Sequence, residues 1–191
     1  MKRRSLLYSL VIVAMAALLM AISLTSSAPA QVNSPTSPPL RDLVQTFDPV
    51  YMPEATAYSI FTTDVTTTHQ VWYRISGGDA LFRQRLRVYQ ENADPRPQNQ
   101  LPPASARLQE LISNTPTGWF QLPVEMGVFT YYFDGDHRGR GGQGWDDAFG
   151  LRVQRTRYAN GNRYDLGFED LEILDDFDDL EVQVVILQPI P

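Results

Sequence analysis

The chain contains no cysteine, so it has no disulfide framework, no thiolate chemistry and no lipidated cysteine. Its fold must rest on a hydrophobic core, a bound ion, or both. Lysine is missing after Lys2, leaving arginine as the only later cation, a pattern that reads as coding bias rather than function. Histidine occurs only at His69 and His137, too far apart in sequence for a local metal motif. There is no Gly-x-Ser-x-Gly elbow of the kind that presents a nucleophilic serine.

One long apolar run exists, Leu6 to Leu24, and it follows Lys2, Arg3 and Arg4. Ala28-Pro29-Ala30 then supplies small residues where a signal peptidase reads them, so residues 1–30 are expected to be an export signal with cleavage before Gln31. The alternative is an uncleaved anchor, because the run nearly reaches the ~20 residues that span a bilayer. Cleavage leaves no membrane segment and places the protein outside the cell, in the periplasm or at the cell surface. It also leaves 13 cations against 22 acids. That balance argues against nucleic acid and anionic lipid as partners. Residues 31–39, rich in Pro, Ser and Thr, read as a flexible leader, and 40–191 as one domain.

Within that domain short extended runs alternate with turn signals. Expected strands are Ala57–Thr63, Gln70–Ile75, Arg83–Glu91, Trp119–Val124, Val128–Asp134, Phe149–Arg157, Arg163–Phe168 and Leu180–Leu187. Arg83, Arg85 and Arg87 line one face of their strand and read as a solvated row. Asn160-Gly161 predicts a tight two-residue hairpin turn. Leu108, Leu111 and Ile112 share a helical face, which predicts one short helix over Ser105–Ser113, with Ser105 as N-cap. The expected fold is all-β, a two-sheet antiparallel sandwich of jelly-roll type with that single helix.

The densest chemistry lies near the C-terminus. Nine acidic residues and no basic one occupy Asp165 to Glu181. Carboxylates gathered so closely either splay into solvent or share a cation. Calcium takes six to eight hard oxygen ligands, and a loop carrying Glu169, Asp170, Asp176, Asp178 and Asp179 can offer several. Phe177 is expected to enter the core and turn its neighbours toward the ion. A second stretch, Asp134-Gly135-Asp136-His137-Arg138-Gly139, opens like a helix-loop-helix calcium loop but places Arg138 at position five and Trp145 at position twelve. It reads as a glycine-rich connection with His137 in a solvated loop, while His69 reads as the start of a strand. Gly139 to Gly144 match Gly-x-Gly-x-x-Gly, yet a strand rather than a helix follows, so no dinucleotide site is inferred. Trp72, Trp119 and Trp145 with acidic residues leave open a carbohydrate-binding or glycoside-cleaving reading, although acids packed on one loop suit a metal better than two walls of a sugar cleft.

Gly167-Phe168-Glu169-Asp170, followed by Asp176-Phe177-Asp178-Asp179-Leu180-Glu181-Val182, resembles the bacterial extracellular modules grouped as domain of unknown function 4114. The similarity covers about residues 117–187. It implies a secreted β-rich domain with a calcium site and no enzymatic activity. Asp178 stands where that family carries asparagine, and Leu174 where many members carry aspartate. The expectation is a non-catalytic, calcium-stabilised binding or adhesion module of the cell surface or matrix, with a surface protein or glycan as partner.

Overall fold

A computed structural model describes residues 37–139, 144–174 and 176–188. The expected export signal, most of the expected leader and the centre of the Gly-x-Gly-x-x-Gly stretch lie outside these residues. The described chain is all-β, with thirteen strands in two antiparallel sheets.

The larger sheet holds β1 (Leu43–Thr46), β2 (Val50–Pro53), β4 (Thr68–Gly77), β7 (Phe120–Gln121), β8 (Glu125–Met126), β11 (Gly150–Tyr158), β12 (Gly161–Glu169) and β13 (Leu180–Leu187). Its main order is β1-β11-β12-β13-β4-β7, with β2 also on β11 and β8 on β4. The smaller sheet runs β10-β9-β5-β6, with β3 also on β9. These are β3 (Ala57–Thr62), β5 (Gln84–Glu91), β6 (Arg107–Ile112), β9 (Phe129–Arg138) and β10 (Trp145–Asp147).

Period-two alternation explains why the sheets meet face to face. Val71, Tyr73 and Ile75 of β4 and Leu180, Val182, Val184 and Ile186 of β13 point inward from one sheet. Leu86 and Val88 of β5 and Tyr131 and Phe133 of β9 point inward from the other. Tyr73 and Phe133 meet edge to face at 5.8 Å between ring centroids. Gly135 of β9 lies directly over Phe168 of β12, where a Cβ would come within 2.5 Å of the ring. Tyr73 also donates a hydrogen bond across the sandwich to Gln109.

The expected helix is instead a single 3₁₀ turn, Ala104–Ala106, followed by β6. The reason is a bulge. Val88 pairs with Gln109 but Tyr89 pairs with Arg107, so Leu108 is an extra residue. That insertion lets Leu108 and Leu111, three apart, both pack against the core, and so imitates a helical spacing. The hairpin also differs by one position. Tyr158 pairs with Gly161, which makes Ala159-Asn160 the turn and Gly161 the first residue of β12. Gly161 (φ +157°) is there because a Cβ would sit 2.1 Å from the carbonyl oxygen of Ile186.

Two further expectations change. Arg85 and Arg87 are not solvated: their side chains are 12% and 19% exposed and are ion-paired to β9. Asp134 to Arg138 belong to β9 rather than to a loop, which buries His137. His69 lies in β4 as expected, buried with its Nε2 2.7 Å from the Tyr131 hydroxyl.

Candidate metal centre

β12 ends at Glu169 and β13 begins at Leu180, so the acidic segment is the loop that joins them. Its shape is set by glycine. Gly167 lies on the outer face of the larger sheet, in register with Arg152 and Glu181. A Cβ there would be 2.0 Å from the carbonyl oxygen of Phe177, so the loop can fold back only onto a glycine. Phe177 takes a left-handed φ of 57° and is buried. It does anchor the loop, but outside the inter-sheet core: its ring packs at Gly150 and edge-on to Tyr51, with centroids 5.4 Å apart.

This fold-back brings Glu169, Asp170 and Asp179 together, with one carboxylate oxygen of each within 4.8 Å of the others. Glu169 and Asp170 are 1% and 3% exposed. The backbone N–H of Asp170 donates to Oδ2 of Asp179 at 2.7 Å. Those of Leu171 and Phe177 donate to Oε1 and Oε2 of Glu169, both at 3.3 Å. Gln84, the first residue of β5, donates its amide to Oδ2 of Asp170 at 2.7 Å. No arginine pairs with any of the three among the described residues.

The electrostatic consequence is direct. Burial, then the neighbouring Asp179, pushes the Glu169 carboxyl up to about 7. Burial and Asp179 raise Asp170 to about 6, against the hydrogen bond from Gln84. Two ionised carboxylates about 4 Å apart near a protein surface repel by roughly 4 kcal/mol. The trio therefore either holds protons or meets a cation. Its donor set fits calcium, since oxygens bound to one ion at about 2.4 Å lie at most about 4.8 Å apart and hard carboxylates are its preferred ligands.

Asp176 and Asp178 fall outside this trio. Asp178 faces Asp176 and Asp79; burial first, and then those two carboxylates, raise it to about 6. The backbone N–H of Asp79 donates to the carbonyl of Asp178 at 3.1 Å, tying the β4–β5 loop to the acidic loop. Asp79 and Gln84 lie outside the acidic run that marks the site in the sequence. Gly77-Gly78-Asp79 between two strands marks an acidic turn, but nothing local to Gln84 signals that it reaches Asp170.

A second carboxylate trio, Asp134, Asp136 and Asp147, has similar spacing and a different chemistry. Arg85 Nε lies 2.6 Å from Asp136, Arg87 Nε 2.6 Å from Asp134, and Arg87 Nη2 2.8 Å from Asp136. The protein's own cations already occupy this group. Asp134 is fully buried with Oδ1 unpartnered, and burial, reinforced by Asp136, pushes its carboxyl up to about 7. Of the tryptophans, Trp72 is buried, while Trp119 and Trp145 each lie under a guanidinium, of Arg74 at 4.7 Å and Arg85 at 4.5 Å.

No helix among the described residues is long and apolar enough to cross a membrane. Comparison with known protein families, with curated proteins and with solved structures finds no match.

Proposed function

We propose that the chain is a secreted, non-catalytic binding or adhesion module of the cell surface or extracellular matrix, stabilised by calcium at Glu169, Asp170 and Asp179. One observation carries this reading: a trio of carboxylates, two of them buried and Asp179 half-buried, that no arginine among the described residues neutralises, at the junction of two loops with the end of the sandwich. Its resemblance-bearing segment, Gly167 to Asp170 with Asp176 to Val182, is the one that builds the trio. Extracellular calcium sites work at ~10⁻⁴–10⁻³ M, where the ion is abundant, and so can replace the disulfides that this chain lacks. Asp176 and Asp178, with Asp79, act as flanking acids that draw the ion toward the loop. The export signal and the acidic charge agree with an extracellular role.

Calorimetric titration of chelator-treated protein with calcium tests the proposal. One equivalent bound in the ~10⁻⁴–10⁻³ M range and lost in Asp179→Asn supports it. Absence of heat, with a melting curve indifferent to chelator, refutes it.

A further inference from the structure

At the end of the sandwich opposite the acidic loop is a cleft of about 230 Å³. Arg41, Thr68, Gln70, Val124, Asn160 and Gln188 line it, with His69 and Leu187 completing the wall. Leu187 pairs with Gly161 at the start of β12, and Glu169 ends that strand, so the cleft and the acidic trio are separated by roughly 27 Å of extended chain. The two sites are independent in space.

The lining has a surplus of donors. Among the described residues no carboxylate lines the cleft, in a chain that carries 22 acidic residues. The one arginine among its described lining residues is Arg41, which is exposed and forms no ion pair among the described residues. The Arg41 backbone is fixed: its N–H donates to Asn160 Oδ1 at 2.8 Å, and its carbonyl accepts from the N–H of Ala159 at 3.1 Å. Asn160 Nδ2 donates in turn to the Pro39 carbonyl at 2.8 Å, so that carboxamide is spent on positioning Arg41. Gln70 uses Oε1 to accept from the Trp72 indole at 3.0 Å, leaving its NH₂ group for a ligand. The nearby acid Glu125 accepts instead from Gln90, at 3.2 Å.

We propose that this cleft binds a sugar acid, with the ligand carboxylate on the Arg41 guanidinium. A guanidinium matches a carboxylate bidentately. Carboxamide and hydroxyl groups of Gln70, Gln188 and Thr68 suit ring hydroxyls, and Val124 and Leu187 offer apolar surface to ring C–H groups. The cleft is smaller than the ~300–1,000 Å³ of drug-sized sites, so a single ring is the matching size. This assignment rests on the binding-module reading and names its ligand class.

Titration calorimetry of the full chain, freed of metal and then of chelator by dialysis, tests it, using galacturonate and glucuronate beside galacturonate methyl ester, galactose and acetate. A uronate should bind at least about tenfold more tightly than the ester, galactose or acetate, and Arg41→Gln should weaken it by about tenfold or more. Arg41→Lys, which keeps charge but loses the fork, should fall between. Equal binding of ester and acid, equal binding of acetate, unchanged affinity in Arg41→Gln, or no binding of either uronate would overturn the proposal. Because calcium is read separately from the melting curve, failure here leaves the metal centre standing, and the reverse also holds. An unchanged melting temperature in Arg41→Gln verifies that the variant is folded.

Discussion

The amide of Asp170 donates to the carboxylate of Asp179, closing a ten-residue segment between the end of β12 and the start of β13. This bond is charge-assisted, and it holds Asp179 beside Asp170 even though their charges repel. A cation that both carboxylates ligate reverses the sign of that interaction, which sets the first expectation. If the trio binds calcium as proposed, the ion at ten times its Kd should stabilise the fold by roughly 1.4 kcal/mol, a rise in Tm of about 3–6 °C for a domain of this size. Asp179→Asn and Asp170→Asn should abolish the rise. Glu172→Gln, an exposed spacer residue, should keep it, and so should Asp178→Asn. Differential scanning calorimetry with and without chelator decides between these outcomes.

The pH dependence follows from the raised carboxyls. Burial lifts Glu169 and Asp170 above their ordinary values in the folded state. Without calcium, their contribution to stability is complete below about pH 4 and declines as pH rises through about 7, because the folded trio must then carry unbalanced charge. Calcium should act in the opposite direction, binding more strongly as those protons leave. Asp134, also raised, declines over the same window whether or not calcium is present. The informative quantity is therefore the difference between melting temperatures with calcium and with chelator. It should widen from pH 5 to pH 8, and a constant difference would separate the ion from these carboxylates.

Gly167 offers a test of how the loop is held. Its missing Cβ makes room for the Phe177 carbonyl, against the backbone rather than against a side chain that could swing away. Gly167→Ala should cost about 1–3 kcal/mol, as overpacked sites do, and should also remove the calcium response by displacing Asp178 and Asp179. Gly118→Ala meets nothing within 4 Å and serves as the control. Urea denaturation of both variants, with and without calcium, separates the two effects. A Gly167→Ala protein that keeps its full calcium shift would show that the fold-back does not build the site.

What the sequence disclosed was local. β13 was legible from end to end because Leu180, Val182, Val184 and Ile186 alternate with Glu181 and Gln183. β1 and β2 escaped notice because each has four residues, Leu43, Val44, Val50 and Tyr51 are exposed, and Pro49 and Pro53 interrupt the run. β6 was misread because a bulge gives a strand the spacing of a helix. In the candidate centre, Glu169, Asp170 and Asp179 could be found because they share one acidic run. Their neighbours Gln84 and Asp79 come from 86 residues before Asp170 and from the β4–β5 loop, a closeness made by sheet packing that no local pattern encodes. Arg83 is exposed as expected, but Arg85 and Arg87 depart from the solvated row for the same reason: their partners, Asp134 and Asp136, sit on a strand whose pairing the sequence does not announce.

That arginine row yields the last expectation. Arg87 faces Asp134 directly across the β5–β9 ladder, and it also reaches Asp136. Asp134 is fully buried, so removing Arg87 would strand a carboxylate with no cation to replace it. Breaking a buried pair from one side costs about 3–5 kcal/mol, whereas replacing both partners by well-packed apolar groups is often neutral. Arg87→Met should therefore destabilise the sandwich by about that amount at pH 8, and by less at pH 5, where Asp134 can take up a proton. Arg87→Met combined with Asp134→Leu should recover most of the loss. Arg85 would remain with Asp136, 2.6 Å away, so the neighbouring pair persists in the double variant. Chemical denaturation of the two single variants and the double variant gives the coupling energy. A coupling near zero would mean that the pair stands in the structure without contributing to its stability.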